Sequence, residues 1–136
     1  EIQQFSLVFR NYGGSYGLPP EWQSGHYSWE IEQRDGTYRM SFRIMGDSYI
    51  VMDFNQEVSA EYVAGLAQLL EAQGVIQYNG YYRKNNVHRP GYSLYVKYAS
   101  KELLHVHADG DAAKSCVFDL VPLLEYAAQQ PLPKRP

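Results

Sequence analysis

The densest group of side chains able to do chemistry lies between Tyr78 and Tyr92, in the run Y-N-G-Y-Y-R-K-N-N-V-H-R-P-G-Y. Flat rings stack on sugars or bases, and amide and guanidinium groups make directed hydrogen bonds to hydroxyls or carboxylates. Tyr81, Tyr82, Arg83, Lys84, Asn85, Asn86 and His88 are therefore the candidate ligand-binding residues, with a glycan or an acidic peptide as the ligand that this chemistry suits. A second reading competes with this one: a long connection whose rings pack back on a sheet and whose charges are solvated. Tyr78 and Tyr92, at the two ends, are expected to pack in this way.

Two further constellations carry weaker signals. His105 and His107, one residue apart in an expected strand, project from one face. With Asp109, Asp111, His26 or His88 they could complete a zinc site, but no third ligand has metal-like spacing, so no metal and no cofactor is expected. Cys116 with His107 could form a thiol nucleophile and its base, with Asp109 or Asp119 orienting the base. A lone cysteine followed by Val117 and Phe118 also reads as a small buried apolar residue, and no residue is assigned as catalytic. Glu30 and Glu32 share a strand face and read as a solvated pair. Gly13-Gly14-Ser15-Tyr16-Gly17 follows a strand but lacks a Gly-Lys-Ser/Thr continuation, and Pro19-Pro20 blocks the helix that a phosphate loop requires. With Tyr12 and Trp22 it could form a second aromatic lip.

The elements that must position these groups follow from periodicity. Residues 3 to 12 alternate with Phe5, Leu7 and Phe9 on one side, which predicts a half-buried strand. Residues 26 to 34 and 37 to 45 alternate in the same way around Asp35-Gly36, a tight hairpin turn, and residues 49 to 54 continue the meander. From Ser59 the spacing becomes helical, with Val63, Leu66, Ala67 and Leu70 as the stripe, Ser59 as the cap and Gly74 as the stop. Residues 92 to 98 and 101 to 108 form a second pair of strands. A second helix is expected from about residue 116 to 129; Asp119 as its cap would put Pro122 at the third helical position, in the first turn where proline is tolerated. The order strands, helix, strands, helix predicts an α+β domain: a mostly antiparallel sheet with two helices on one face, spanning 1–130, with 131–136 as a disordered tail.

Composition bounds the function. A chain of 136 residues with 45% apolar and 20% charged side chains suits one globular core. A formal charge of −3 argues against general nucleic-acid binding, which needs excess Lys and Arg to displace counterions. No apolar run is long enough for a membrane-spanning helix. One cysteine makes no internal disulfide and needs no oxidising compartment, which favours the cytoplasm, while a start at Glu1 rather than Met also fits a processed, exported domain. The 13 tyrosines suit either a tyrosine-rich antiparallel sheet or an aromatic binding surface.

The turn Tyr78-Asn79-Gly80-Tyr81-Tyr82-Arg83-Lys84-Asn85-Asn86, followed by Tyr92-Ser93-Leu94-Tyr95-Val96-Lys97-Tyr98, resembles small uncharacterised bacterial domains. Those domains share a helix, an aromatic N-G-[FY] turn with a Lys or Arg and an Asn after it, and an S-L-x-[VI]-x-Y strand. The resemblance covers about half of the chain, implies a bacterial α+β module, and transfers no catalytic residue. Three functions are carried forward: a non-enzymatic binding module for a protein or glycan; a small acidic immunity or inhibitor protein that occupies a basic partner; and a hydrolase using His105, His107 and Cys116.

Overall fold

A computed structural model of the protein describes residues 1–11, 15–19, 21–46, 49–83, 91–108 and 116–130. The strands are β1 (Ile2–Asn11), β2 (Gly25–Arg34), β3 (Thr37–Met45), β4 (Ile50–Val58), β5 (Tyr82–Arg83), β6 (Tyr92–Tyr98) and β7 (Leu103–Ala108), and the helices are α1 (Ala60–Ala72) and α2 (Leu120–Ala127). The strands form one sheet in the order β4-β3-β2-β1-β6-β7-β5, antiparallel throughout except for the two-residue β5, which runs parallel to β7. This is an α+β architecture with a mostly antiparallel sheet and two helices, as the periodicity predicts.

Local chemistry sets the boundaries. Asp35 and Gly36 both take positive φ, 53° and 80°, the pair of left-handed conformations that lets a two-residue turn match the twist of β2 and β3. Ser59 caps α1 by accepting a hydrogen bond from the Tyr62 backbone N–H at 3.0 Å, and Gly74, at φ 64°, lets the chain leave the helix. Asp119 caps α2 through Val121 N–H at 3.1 Å, so Pro122 occupies the third helical position and interrupts no helical hydrogen bond.

Three elements differ from the sequence reading: α2 runs from Leu120 to Ala127 rather than from about residue 116 to 129, because Asp119 caps it, and β4 and β7 differ at one boundary each. β4 runs on to Val58 rather than ending at Phe54; beyond Phe54 only Val58 is buried, because an edge strand can expose most of its side chains and so loses the apolar alternation. β7 starts at Leu103, because Lys101 takes a left-handed φ of 72° in the hairpin turn, donating from its N–H to Tyr98 O at 2.9 Å.

Alternate residues of the strands enter one core: Phe5, Leu7 and Phe9; Tyr27, Trp29 and Ile31; Met40, Phe42 and Ile44; Leu94 and Val96; Leu104 and Val106. The buried residues of α1 (Tyr62, Val63, Leu66, Leu70) and of α2 (Leu120, Leu123, Leu124, Ala127) belong to the same cluster. Phe5 and Trp29 meet edge to face at 4.8 Å, and Phe9 stacks on Tyr27 at 4.7 Å. The helices are joined by a reciprocal tyrosine pair: the Tyr62 hydroxyl donates to Tyr126 O, the Tyr126 hydroxyl donates to Tyr62 O, and their rings stack at 4.7 Å. Burial raises the pKa of both phenols. Asn11, buried beneath the 21–23 segment, donates from Nδ2 to Trp22 O and to Gln23 O, both at 2.9 Å, and ties that segment to β1.

Candidate functional site

The segment from Tyr78 to Arg83 is built as a seal along the outer edge of β7. Asn79 donates from Nδ2 to Leu103 O at 3.1 Å and accepts at Oδ1 from His105 N–H at 2.9 Å, replacing a neighbouring strand with a side-chain amide. Gly80 N–H donates to His105 O and His107 N–H donates to Tyr81 O, each at 2.9 Å, and Tyr82 then pairs with His107 in the short parallel strand β5.

Strand alternation splits the sequence-derived candidates. Tyr81 is half-buried and packs on the core, with the Arg83 guanidinium 4.8 Å from its ring centroid. Tyr82 goes the other way, 49% exposed, with its ring stacked 5.0 Å from His107 and 6.1 Å from His105. Tyr81 and Arg83 therefore form one pair, and Tyr82 joins the two histidines. Lys84, Asn85, Asn86 and His88 lie outside the described residues. Tyr78 packs on the core at half burial; Tyr92 is fully buried, accepts a hydrogen bond from Val117 N–H at 3.3 Å, and has its pKa raised by burial.

The face that Tyr82 joins is crossed by three rows of side chains, the first with one residue from every strand and the other two with one from every strand but β5. One row runs Tyr82, His107, Ser93, Val8, Ser28, Arg43, Asp53. The next runs His105, Tyr95, Ser6, Glu30, Ser41, Asn55, and the third Leu103, Lys97, Gln4, Glu32, Arg39, Glu57. Among the described residues, none in these rows is buried. Tyr95 meets His105 edge on at 6.1 Å, so Tyr82, His107, His105 and Tyr95 form a continuous aromatic and imidazole patch over β5, β7 and β6. Toward β4 the face becomes charged. Arg39 donates from Nε to Asn55 Oδ1 at 2.6 Å, and Arg43 pairs with Asp53 at 3.3 Å.

Two depressions lie between the patch and β4. One, of about 270 Å³, is lined by Gln4, Ser6, Glu30, Glu32 and Tyr95; the other, of about 390 Å³, by Glu30, Glu32, Arg39, Ser41, Asn55 and Glu57 among others. Glu30 and Glu32 line both, so the two carboxylates that the sequence reads as a solvated pair sit at the centre of the face. Sequence reasoning did not gather Tyr95, Ser6 and Glu30 beside His105. Their shared parity is visible in each strand, but which strands are neighbours is not. A separate apolar groove of about 610 Å³ has Trp22, Ile44, Met52 and Ala128 in its lining, with Glu21 and Glu125 beside them.

The other two constellations are taken apart by the sheet. Among the described residues no group of three His, Cys, Asp or Glu side chains could hold a metal ion. His26 sits in β2 opposite Arg10 and Met45, three strands from β7 and so roughly 14 Å away at the usual strand spacing. Asp109, Asp111 and His88 lie outside the described residues. Cys116 packs on the core, on the side of the sheet that Tyr92 and Phe118 fill, whereas His107 projects from the other side with Ser93 and Tyr82. Burial, with a smaller contribution from Asp119, pushes the Cys116 thiol up from 9.0 to about 12, the opposite of what a thiolate nucleophile needs.

No family model matches the chain, and no curated protein or solved structure does so either.

Proposed function

We propose that the protein is a non-enzymatic binding module in which both helices cover one face of the sheet and the other face takes a ligand. The observation that carries this reading is the unburied face itself, with a ring and imidazole patch at one end and a hydroxyl-, amide- and carboxylate-lined centre. Rings that stack, beside groups that both donate and accept hydrogen bonds, are the means by which a protein grips a saccharide in water. Tyr82, Tyr95, His105 and His107 would supply the platform, and Ser6, Glu30 and Asn55 the directional contacts. Lys84, Asn85, Asn86 and His88, which follow Arg83 in the chain, remain part of the proposed contact set on their chemistry alone. The bacterial domains that the turn at Asn79-Gly80-Tyr81-Tyr82 resembles would share this use of the sheet.

One observation favours a second reading, the immunity or inhibitor protein. Glu30 and Glu32 line both depressions, and a chain of net charge −3 with carboxylates central on an open face suits a basic partner. The hydrolase reading has less support, because a protonated, core-packed Cys116 on the far side of the sheet from His107 provides neither nucleophile nor base contact.

Screening the protein on a glycan array, followed by calorimetric titration of any hit, tests the first reading. Tyr82→Ala and Tyr95→Ala should each abolish binding and leave the far-ultraviolet circular dichroism unchanged. Undiminished affinity in both variants would remove this face as the site. Salt separates the two readings: a glycan should bind equally at low and high ionic strength, and a basic protein should weaken steeply as salt rises.

A further inference from the structure

The sheet has two edges, and the chain treats them differently. At β7 the Leu103 carbonyl, both backbone groups of His105 and the His107 N–H are satisfied by Asn79, Gly80 and Tyr81, and β5 pairs alongside. At β4, among the described residues, the only strand partner is β3, and the one side chain bonded to its backbone is Arg39, whose guanidinium lies 3.5 Å from Asn55 O. Natural edges are protected by charged side chains, above all Lys, by Pro, by bulges, by brevity or by a cover. β4 is nine residues long, contains no Lys, Arg or Pro, and starts beside the exposed side chains of Tyr49 (65%) and Ile50 (51%). Its one irregularity, a bulge at Ile50 and Val51, leaves Met52 to Val58 as regular strand.

We propose that β4 is a self-association edge, through which two copies of the chain pair antiparallel about a twofold axis at Phe54 and join their sheets into one. The charges on β4 select this register. In an antiparallel ladder two facing residues must send their backbone groups the same way, so the axis falls on a residue. An axis at Asp53 sets that carboxylate against its own counterpart, and an axis at Asn55 sets Asp53 against Glu57 of the other copy twice over. Like charges directly opposite destabilise a pair of strands. An axis at Gln56 avoids both clashes but runs Met52 against Ala60, where α1 begins and no ladder can continue. At Phe54 the facing pairs are Met52 with Gln56 and Phe54 with itself on the core side, and Asp53 with Asn55 on the outer side. Asp53 then faces a neutral group on both sides of the axis, the amide of Asn55 can donate to it across the axis, and the regular ladder runs from Met52 to Gln56.

Sedimentation equilibrium over a concentration series should find a monomer–dimer equilibrium. Asn55→Asp puts two carboxylates face to face on each side of the axis while keeping an acceptor for Arg39, so it should weaken dimerisation by roughly tenfold or more without altering the circular dichroism. Adding Asp53→Asn to that variant restores one carboxylate and one amide in each pair and should recover the dimer. A wild-type protein that stays monomeric throughout, a dimer indifferent to Asn55→Asp, or a double variant that stays as weak as the single one would each overturn the proposal.

Discussion

Leu94 and Tyr95 are consecutive residues of β6, and they belong to the two faces of one sheet. On the first face Leu94 is fully buried among Leu7, Val96 and Val106, neighbours that leave no room for water. On the second Tyr95 stands between His105 and Ser6 and lines a depression with Glu30 and Glu32. The same division sorts the tyrosines: Tyr27, Tyr38, Tyr62 and Tyr92 are spent on the core, and Tyr82 and Tyr95 face outward. A count of 13 tyrosines thus conceals two populations, and the functional question concerns only the second.

The contrast can be broken by experiment, most forcefully at β6 itself. Leu94→Ala should cost about 2–5 kcal/mol in chemical denaturation, the range for emptying a close-packed site. Tyr95→Ala should cost less than about 1 kcal/mol. Equal losses would mean that the outer face is structural rather than a surface for contact.

Cys116 tests the covered side by its chemistry. With burial pushing its thiol up to about 12, the folded protein holds far fewer thiolates below pH 9 than a denatured chain, so alkylation should be slow until denaturant is added. The sign for stability follows from the same shift. The folded state holds this proton more tightly than the unfolded state, so the contribution is complete below the ordinary thiol value of 9.0 and is lost as pH rises toward about 12. Replacing Cys116 by Ala should flatten that alkaline decline, measured as the midpoint of urea unfolding against pH.

The smallest effects belong to the outer face. Tyr82→Ala, which removes a ring that is half exposed, should change stability by only about 0.5 kcal/mol, so a loss of binding would be read without a loss of fold. Asp53→Asn breaks an ion pair whose two side chains are each 43% exposed, and its cost should be at or below about 0.5 kcal/mol.

Much of the fold was legible because local rules and tertiary packing agreed. Ser59, Gly74, Asp119 and the Asp35-Gly36 turn each mark a boundary by backbone chemistry that needs no distant partner. The end of β4 was not legible, because D-F-N-Q-E has no apolar alternation and is held in the sheet by backbone pairing with Arg39 to Arg43. The site was legible only in pieces. Tyr82 and the two histidines were each singled out by type, but the parallel pairing of β5 with β7 that stacks Tyr82 on His107 joins residues about two dozen positions apart and follows from no local signal. Glu30 was read as a solvated strand residue because the strand order that places it two strands from Tyr95 is a property of the whole sheet.

The reciprocal tyrosine pair between the helices bears on how this sequence can drift. A Cβ at Gly65 would collide with the Tyr126 hydroxyl, and the ring beneath that hydroxyl is held by its stack on Tyr62. Position 65 is therefore not free to change on its own. Gly65→Ala alone should overpack the contact and cost about 1–3 kcal/mol, whereas the same change on a Tyr126→Phe background meets no hydroxyl and should be far milder. Two positions on different helices, 61 residues apart in the chain, are thus expected to be epistatic: descendants of this sequence should replace Gly65 only where the Tyr126 hydroxyl has also been lost.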